Sequence, residues 1–324
     1  MHLFRWLKET SDGNMVEVAM DRSSAVGKAI KWVKNHRIRG GGIAPHKKVA
    51  VGYQEVTGYF IPTLYKCGEN KLAQDLVRWE ASVQRSDGAF CCIDNVAYTF
   101  DTAQVVRGFL AALNDVPEIE GNLRRACDYV EKHIARNGEV LTESYDMWAL
   151  PGGSRQSEYS NLYVLQPMLE AGRKLAEARY IDAAERGMNY FRKKPDLVEF
   201  KSDFGTLSHF FGYIMEALVD LGEIELAKKG LQQAVSVQKE NGAIPAYPGV
   251  DWICSAGMAQ LAIAWYKIGD IEPADRAMQY LLKIQNPSGG FYGSYGKEAE
   301  YFPNEEISWA VKFFIDALLL MDQN

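Results

Sequence analysis

Gln84-Arg-Ser-Asp-Gly88-Ala-Phe90, Gln238-Lys-Glu-Asn-Gly242-Ala-Ile244 and Gln285-Asn-Pro-Ser-Gly-Gly290-Phe291 are copies of one phrase: a helix-ending Gln, a polar turn, Gly, then an apolar residue. Arg136-Asn-Gly138-Glu-Val140 is a weaker copy, and Gly40-Gly-Gly-Ile43 reads as a further one. A helix commonly stops in the left-handed conformation, which costs Gly nothing, so each phrase ends a helix. An amphipathic stretch such as 73–83 precedes the phrase, and a more apolar one such as 103–113 follows after a loop. Half-exposed helices therefore alternate with buried ones. The buried members run near 53–65, 101–113, 160–172, 206–220, 253–267 and 306–321. Short turns that also resemble one another, Cys67-Gly-Glu-Asn70, Leu221-Gly-Glu-Ile224 and Ile268-Gly-Asp-Ile271, lead out of them.

Six helical hairpins at one spacing form either an open solenoid or a closed ring. A solenoid needs terminal repeats with a polar outer face, and the last buried segment, Glu306 to Leu320, is apolar on most sides. The sequence thus predicts an all-α fold, an (α/α)6 toroid over residues 23–324 preceded by an arm at 1–22, with Leu110, Leu169, Ile214, Ile263 and Phe314 between its layers. The 324 residues, 47% hydrophobic and 24% charged, suffice for such a core.

The net charge of −6 comes with no long basic run, so no nucleic-acid partner is expected. No apolar stretch reaches the roughly 18 residues of a membrane span, and charges interrupt the amino end where a signal peptide needs an apolar core. The expectation is a cytoplasmic protein of open oligomeric state. Five cysteines, at 67, 91, 92, 127 and 254, contain no C-x-x-C pair, against both a disulfide framework and a zinc ribbon.

The Gln-x-x-x-Gly-x-Phe phrase before an aromatic-rich helix resembles the repeat signature of the terpenoid cyclase and protein prenyltransferase toroids, and the resemblance implies the (α/α)6 barrel. Tyr53 to Leu64, Phe100 to Gly108 and Trp309 to Leu318 are similar to uncharacterised bacterial toroid proteins associated with polysaccharide gene clusters, which implies a carbohydrate substrate. The chemistry of the named superfamily finds no motif here. Asp-x-Asp-Asp and the magnesium-binding Asp-Asp-x-x-Asp are both missing, and Asp251-Trp-Ile-Cys254 has the wrong spacing for a prenyltransferase zinc site, with no His after His209. Cys67-Gly-Glu-Asn70 resembles a complement-type thioester motif but has Asn in place of the reacting Gln, and reads as a plain turn. No metal and no cofactor are expected.

Acidic residues remain at the start of the buried segments: Glu55, Asp101, Glu158, Asp251 and Glu305 or Glu306. Acids also cap helices, so any single one has a structural explanation. As a set they coincide with Tyr53, Tyr59, Tyr98, Tyr159, Trp252, Tyr292, Tyr295 and Trp309. Rings stack on sugar faces while carboxylates accept hydroxyl hydrogen bonds, and glycoside hydrolysis needs two carboxyls. Glu55, Asp101, Asp251 and Glu306 are the candidates. His209, with Arg107 and Gln104, opens a second chemistry, proton abstraction beside a uronic carboxylate by a lyase or epimerase. The expectation is a glycan-active enzyme of hydrolase or lyase/epimerase type at one mouth of the ring. A non-catalytic glycan-binding or scaffolding toroid and an isoprenoid-handling enzyme are the alternatives.

Overall fold

In the computed structural model, which describes residues 5–9, 15–19, 22–144 and 156–323, the repeated Gln and Gly do more than end helices. Gln84 donates from Nε2 to the carbonyl of Gly88 (3.0 Å) in its own turn and to that of Asn122 (2.9 Å) in the next outer helix. Gln238 repeats this with Gly242 (3.2 Å) and Pro273 (3.0 Å). Gln285 does so with Gly289 and Ala25, both at 3.1 Å, joining the last outer helix to the first. Gly88 and Gly289 adopt φ of 94° and 93°. A Cβ there would stand 2.1 Å from the Arg125 carbonyl oxygen and 2.2 Å from that of Lys28, so the phrase also permits backbone contact between neighbouring outer helices.

Twelve α-helices are described. The outer ones are α1 (Arg22–Asn35), α3 (Asn70–Val83), α5 (Glu120–His133), α7 (Ala178–Phe191), α9 (Ile224–Val237) and α11 (Ile271–Ile284). The inner ones are α2 (Gln54–Lys66), α4 (Thr99–Ala112), α6 (Leu165–Lys174), α8 (Ser208–Asp220), α10 (Ser255–Ile268) and α12 (Ser308–Met321). A 3-10 segment, Gln156–Val164, leads into α6. Inner helices neighbour one another in chain order, and α12 returns to pack on α2 and α1. The chain is an (α/α)6 toroid. Its seam carries Thr63 Oγ1 donating to Asp316 Oδ1 (2.7 Å) and Trp32 Nε1 donating to Glu306 Oε2 (2.7 Å).

Leu110, Ile214, Ile263 and Phe314 are buried as expected, whereas Leu169 is only half-buried. Leu169, the fifth of the ten residues of α6, lies beside Arg173 and Arg192 in an outer crevice. Two antiparallel pairs supplement the helices. β1 (Arg5–Glu9) pairs with β2 (Met15–Ala19) inside the expected arm, and β3 (Ile253–Cys254) pairs with β4 (Ser294–Tyr295) at the rim. Among the described residues no helix is long and apolar enough to cross a membrane.

Candidate functional site

Every inner helix starts at the same end of the ring, so side chains in first turns converge there. Glu55 is in the first turn of α2 and Asp101 in that of α4. Tyr53, just before α2, joins them: its hydroxyl donates to Asp101 Oδ2 at 3.1 Å and hydrogen-bonds the Glu55 carboxyl. The two carboxyls open into a cavity of about 260 Å³, and no Lys or Arg is among its described lining residues. Burial pushes Glu55 up from 4.5 to about 7, opposed by the Tyr53 hydrogen bond and the Lys312 charge. Asp101, 2% exposed, is driven well above the ordinary carboxylate range by burial and then by the Glu55 charge. Burial and mutual repulsion therefore favour a shared proton on the pair.

Aromatic rings make the walls. Tyr98, Phe100, Phe204, Tyr213, Tyr301 and Trp309 are among the lining residues. His209, on the first turn of α8, shares the cavity and stacks on Trp309 with ring centroids 6.4 Å apart. Its Nδ1 is 2.6 Å from Gln260 Oε1, which fixes the proton on Nδ1. Burial lowers its pKa to about 4, so the ring is neutral at physiological pH. Cys92 also lines the cavity, but burial raises its thiol to about 12, which removes it as a nucleophile. Phe302 borders the cavity with φ of 48°, an uncommon conformation for a bulky side chain. Its backbone is pinned because its carbonyl accepts the Gly293 N–H at 3.0 Å.

The structure thus brings together Tyr53, Glu55, Tyr98, Asp101, His209 and Trp309. The other expected site residues lie elsewhere. Asp251 points away from the cavity, with its side chain 93% exposed and paired to Lys239 at 2.9 Å. Glu306 is spent on the seam, where it accepts hydrogen bonds from Trp32, Asn286 and Ser288, and Glu305 pairs with His46 and Lys48. Both acids precede their helices, α10 and α12, so helix phase does not aim them inward. Glu158 is in the 3-10 segment before α6.

Tyr159 donates to Asp196 and Tyr295 to Asn286. Trp252 supports the cavity from behind, its ring 6.5 Å from that of Phe204. Gln104 and Arg107 are below the cavity. Gln104 bonds the Phe100 carbonyl, and Arg107 reaches Gln104, Gln166 and the Tyr163 carbonyl. Arg107 stacks on the Tyr163 ring at 3.9 Å and belongs to a charged layer with Glu216, Lys267, Lys312 and Asp316. Tyr59 is buried between the two levels, packed against Phe313. The sequence reading missed Phe204, Phe210, Tyr213, Tyr301 and Phe302 as lining residues. Phe204 and Phe210 flank His209 in sequence and were accessible to it, whereas Tyr301 and Phe302 come from a loop with no periodicity.

Among the described residues no group of three or more His, Cys, Asp or Glu side chains is placed to hold a metal. No protein-family model matches the chain, and no curated protein sequence matches it. Solved structures do. An unsaturated glucuronyl hydrolase specific for heparin superposes with a TM-score of 0.69 at 12% identity, covering 93% of this chain and 97% of its own. A possible member of the GH105 family from Salmonella enterica gives 0.67 at 10% identity, covering 98% of both chains. A Clostridium perfringens alpha-amylase gives 0.66 at 14% identity, covering 91% and 97%. These likenesses show the toroid fold, and none of the three is a terpenoid cyclase.

Proposed function

We propose that the chain is a glycoside hydrolase that cleaves a sugar from the end of a glycan, with Asp101 as the general acid and Glu55 as the base or nucleophile. One observation carries this reading: two carboxyls meet on a single tyrosine hydroxyl at the mouth of an aromatic-walled cavity. Their environments separate their proton affinities, which is how such sites divide acid and base roles. The cavity is smaller than the roughly 300–1,000 Å³ of most ligand sites, which suits a chain end better than the middle of a polymer.

Walls with no described cation favour a neutral ring over a uronate. The same feature disfavours the lyase or epimerase reading, because Arg107, its expected carboxylate partner, is engaged below the cavity. The glycosidase neighbours support the class of activity. The test is a screen of chromogenic and end-labelled neutral glycosides with the wild type, Glu55→Gln and Asp101→Asn. Each substitution should lower kcat/KM by about 10²–10⁴-fold. Full activity in both variants would remove the carboxyl pair from the mechanism.

A further inference from the structure

A second concavity opens on the same rim of the ring, between α1, the 44–50 loop and the turn at Pro287–Ser288, with a volume of about 710 Å³. Its charge is opposite to that of the candidate site. Lys28, Lys31, Arg37, Lys47, His36 and His46 line it, and no Asp or Glu is among the described lining residues. Arg37 is held by Asp75 at 3.3 Å and His46 by Glu305 at 2.9 Å. Lys28, Lys31 and Lys47 are exposed and make no ion pair with any described residue. Glu306, half-buried beside the groove, accepts hydrogen bonds from Trp32, Asn286 and Ser288, and Lys47 and His36 feel its charge.

The floor is the His36 ring, which stacks at 3.6 Å and 13° on the buried Trp32 ring behind it. The His36 Nε2 and Arg37 Nε atoms are buried without a hydrogen-bond partner. In a protein of net charge −6, unpaired cations around a ring stack constitute a local anion site. The concavity also adjoins the acidic cavity. His46 lines the first and Phe302 the second, and their rings are 5.9 Å apart, so a single wall divides them.

We propose that this groove is a binding subsite for an acidic oligosaccharide, bearing carboxylate or sulfate groups, whose neutral end enters the Glu55–Asp101 cavity. The inference rests on the hydrolase reading for its direction, and it deepens that reading by naming the substrate as a glycan neutral at its end and anionic beyond it. Lysine side chains meet the anionic groups as point charges, and the His36 ring, backed by Trp32, meets a sugar face. A nucleic acid would share the charge but has no use for the adjoining acidic cavity.

The experiment is calorimetric titration of the whole Glu55→Gln chain, which binds without turnover, with a hyaluronan hexasaccharide and a heparosan hexasaccharide, each with a neutral N-acetylglucosamine at its non-reducing end, with maltohexaose and with a dT hexamer at low and moderate salt. At least one acidic hexasaccharide should bind ten-fold or more tighter than maltohexaose and weaken as salt rises. Adding Lys28→Gln, Lys31→Gln and Lys47→Gln should abolish that ten-fold preference while leaving the melting temperature in place. Equal binding by the charge-neutralised protein, no preference over maltohexaose, or tighter binding of the dT hexamer each overturns the proposal. Because the readout needs no turnover, the two readings fail separately. A protein that binds the acidic hexamer through these lysines yet cleaves nothing refutes only the hydrolase reading. One that cleaves neutral glycosides yet ignores acidic hexamers refutes only the groove.

Discussion

Replacing Glu55 by Gln should make the protein more stable above neutral pH, and the structure sets the size of the gain. The carboxyl is raised from the ordinary 4.5 to about 7 by burial. That interval of 2.5 pH units, at 1.36 kcal/mol each, is about 3 kcal/mol. The sign follows from linkage: the folded state holds the proton more tightly than the unfolded chain. The contribution of Glu55 to stability is therefore complete below pH 4.5, is lost as pH rises toward 7, and is constant above it. Glu55 is half-buried and faces the cavity's water, so about 3 kcal/mol is an upper bound. Gln has nearly the same shape and no charge to desolvate. Urea unfolding of wild type and Glu55→Gln at pH 5 and pH 8 measures the difference, which should be small at pH 5 and reach 1–3 kcal/mol, roughly, in favour of the variant at pH 8. A gap that does not change with pH, or a variant less stable at pH 8, would refute the argument that burial strains this carboxylate. Loss of activity with gain of stability is the trade expected of a site side chain.

Three further outcomes follow from the same physics. Lys312 is 4% exposed, and its ammonium favours ionised Glu55. Lys312→Met should therefore shift the carboxyl titration of Glu55, followed by ¹³C NMR, upward from about 7, and kcat/KM should be lost at a correspondingly higher pH on acidification. Glu80 is fully buried with both carboxylate oxygens unpartnered, and burial alone drives its pKa well above the usual range. Glu80→Leu should stabilise the fold by about 1–3 kcal/mol, with the larger gain at pH 8 because wild-type stability from this group declines as pH rises above 4.5. Gly269 and Gly289 have φ of 79° and 93°, but a Cβ at Gly269 meets open space while one at Gly289 meets the α1 backbone. In chemical denaturation Gly269→Ala should cost about 1–2 kcal/mol and Gly289→Ala clearly more, since only the latter also pries open the ring; equal costs would contradict closure through that turn.

The ring was legible in the sequence because its period is written into residues that serve the backbone. A Gln that reaches a neighbouring carbonyl recurs at three of the turns and a Gly that lets two backbones touch at four, and with the alternation of apolar segments this let six hairpins and their inner members be placed from pattern alone. Glu55, Asp101 and His209 were legible for a related reason: each occupies the first turn of an inner helix, and helix phase then carries all three to one mouth. Where phase does not apply, sequence reasoning had no hold. Asp251 and Glu306 sit in loops before α10 and α12, and loop conformation sends one to solvent and the other into the seam. Arg107 follows Asp101 by six residues, about 9 Å along a helix axis, which places it beyond the aromatic level and among the buried charges. The walls made by Phe204, Tyr301 and Phe302, the sharing of Tyr53 by two acids and the basic groove one wall away join residues far apart in the chain. Their proximity, and the desolvation that raises the two carboxyls, exist only once the ring has closed, because both depend on which distant surfaces exclude water from the same place.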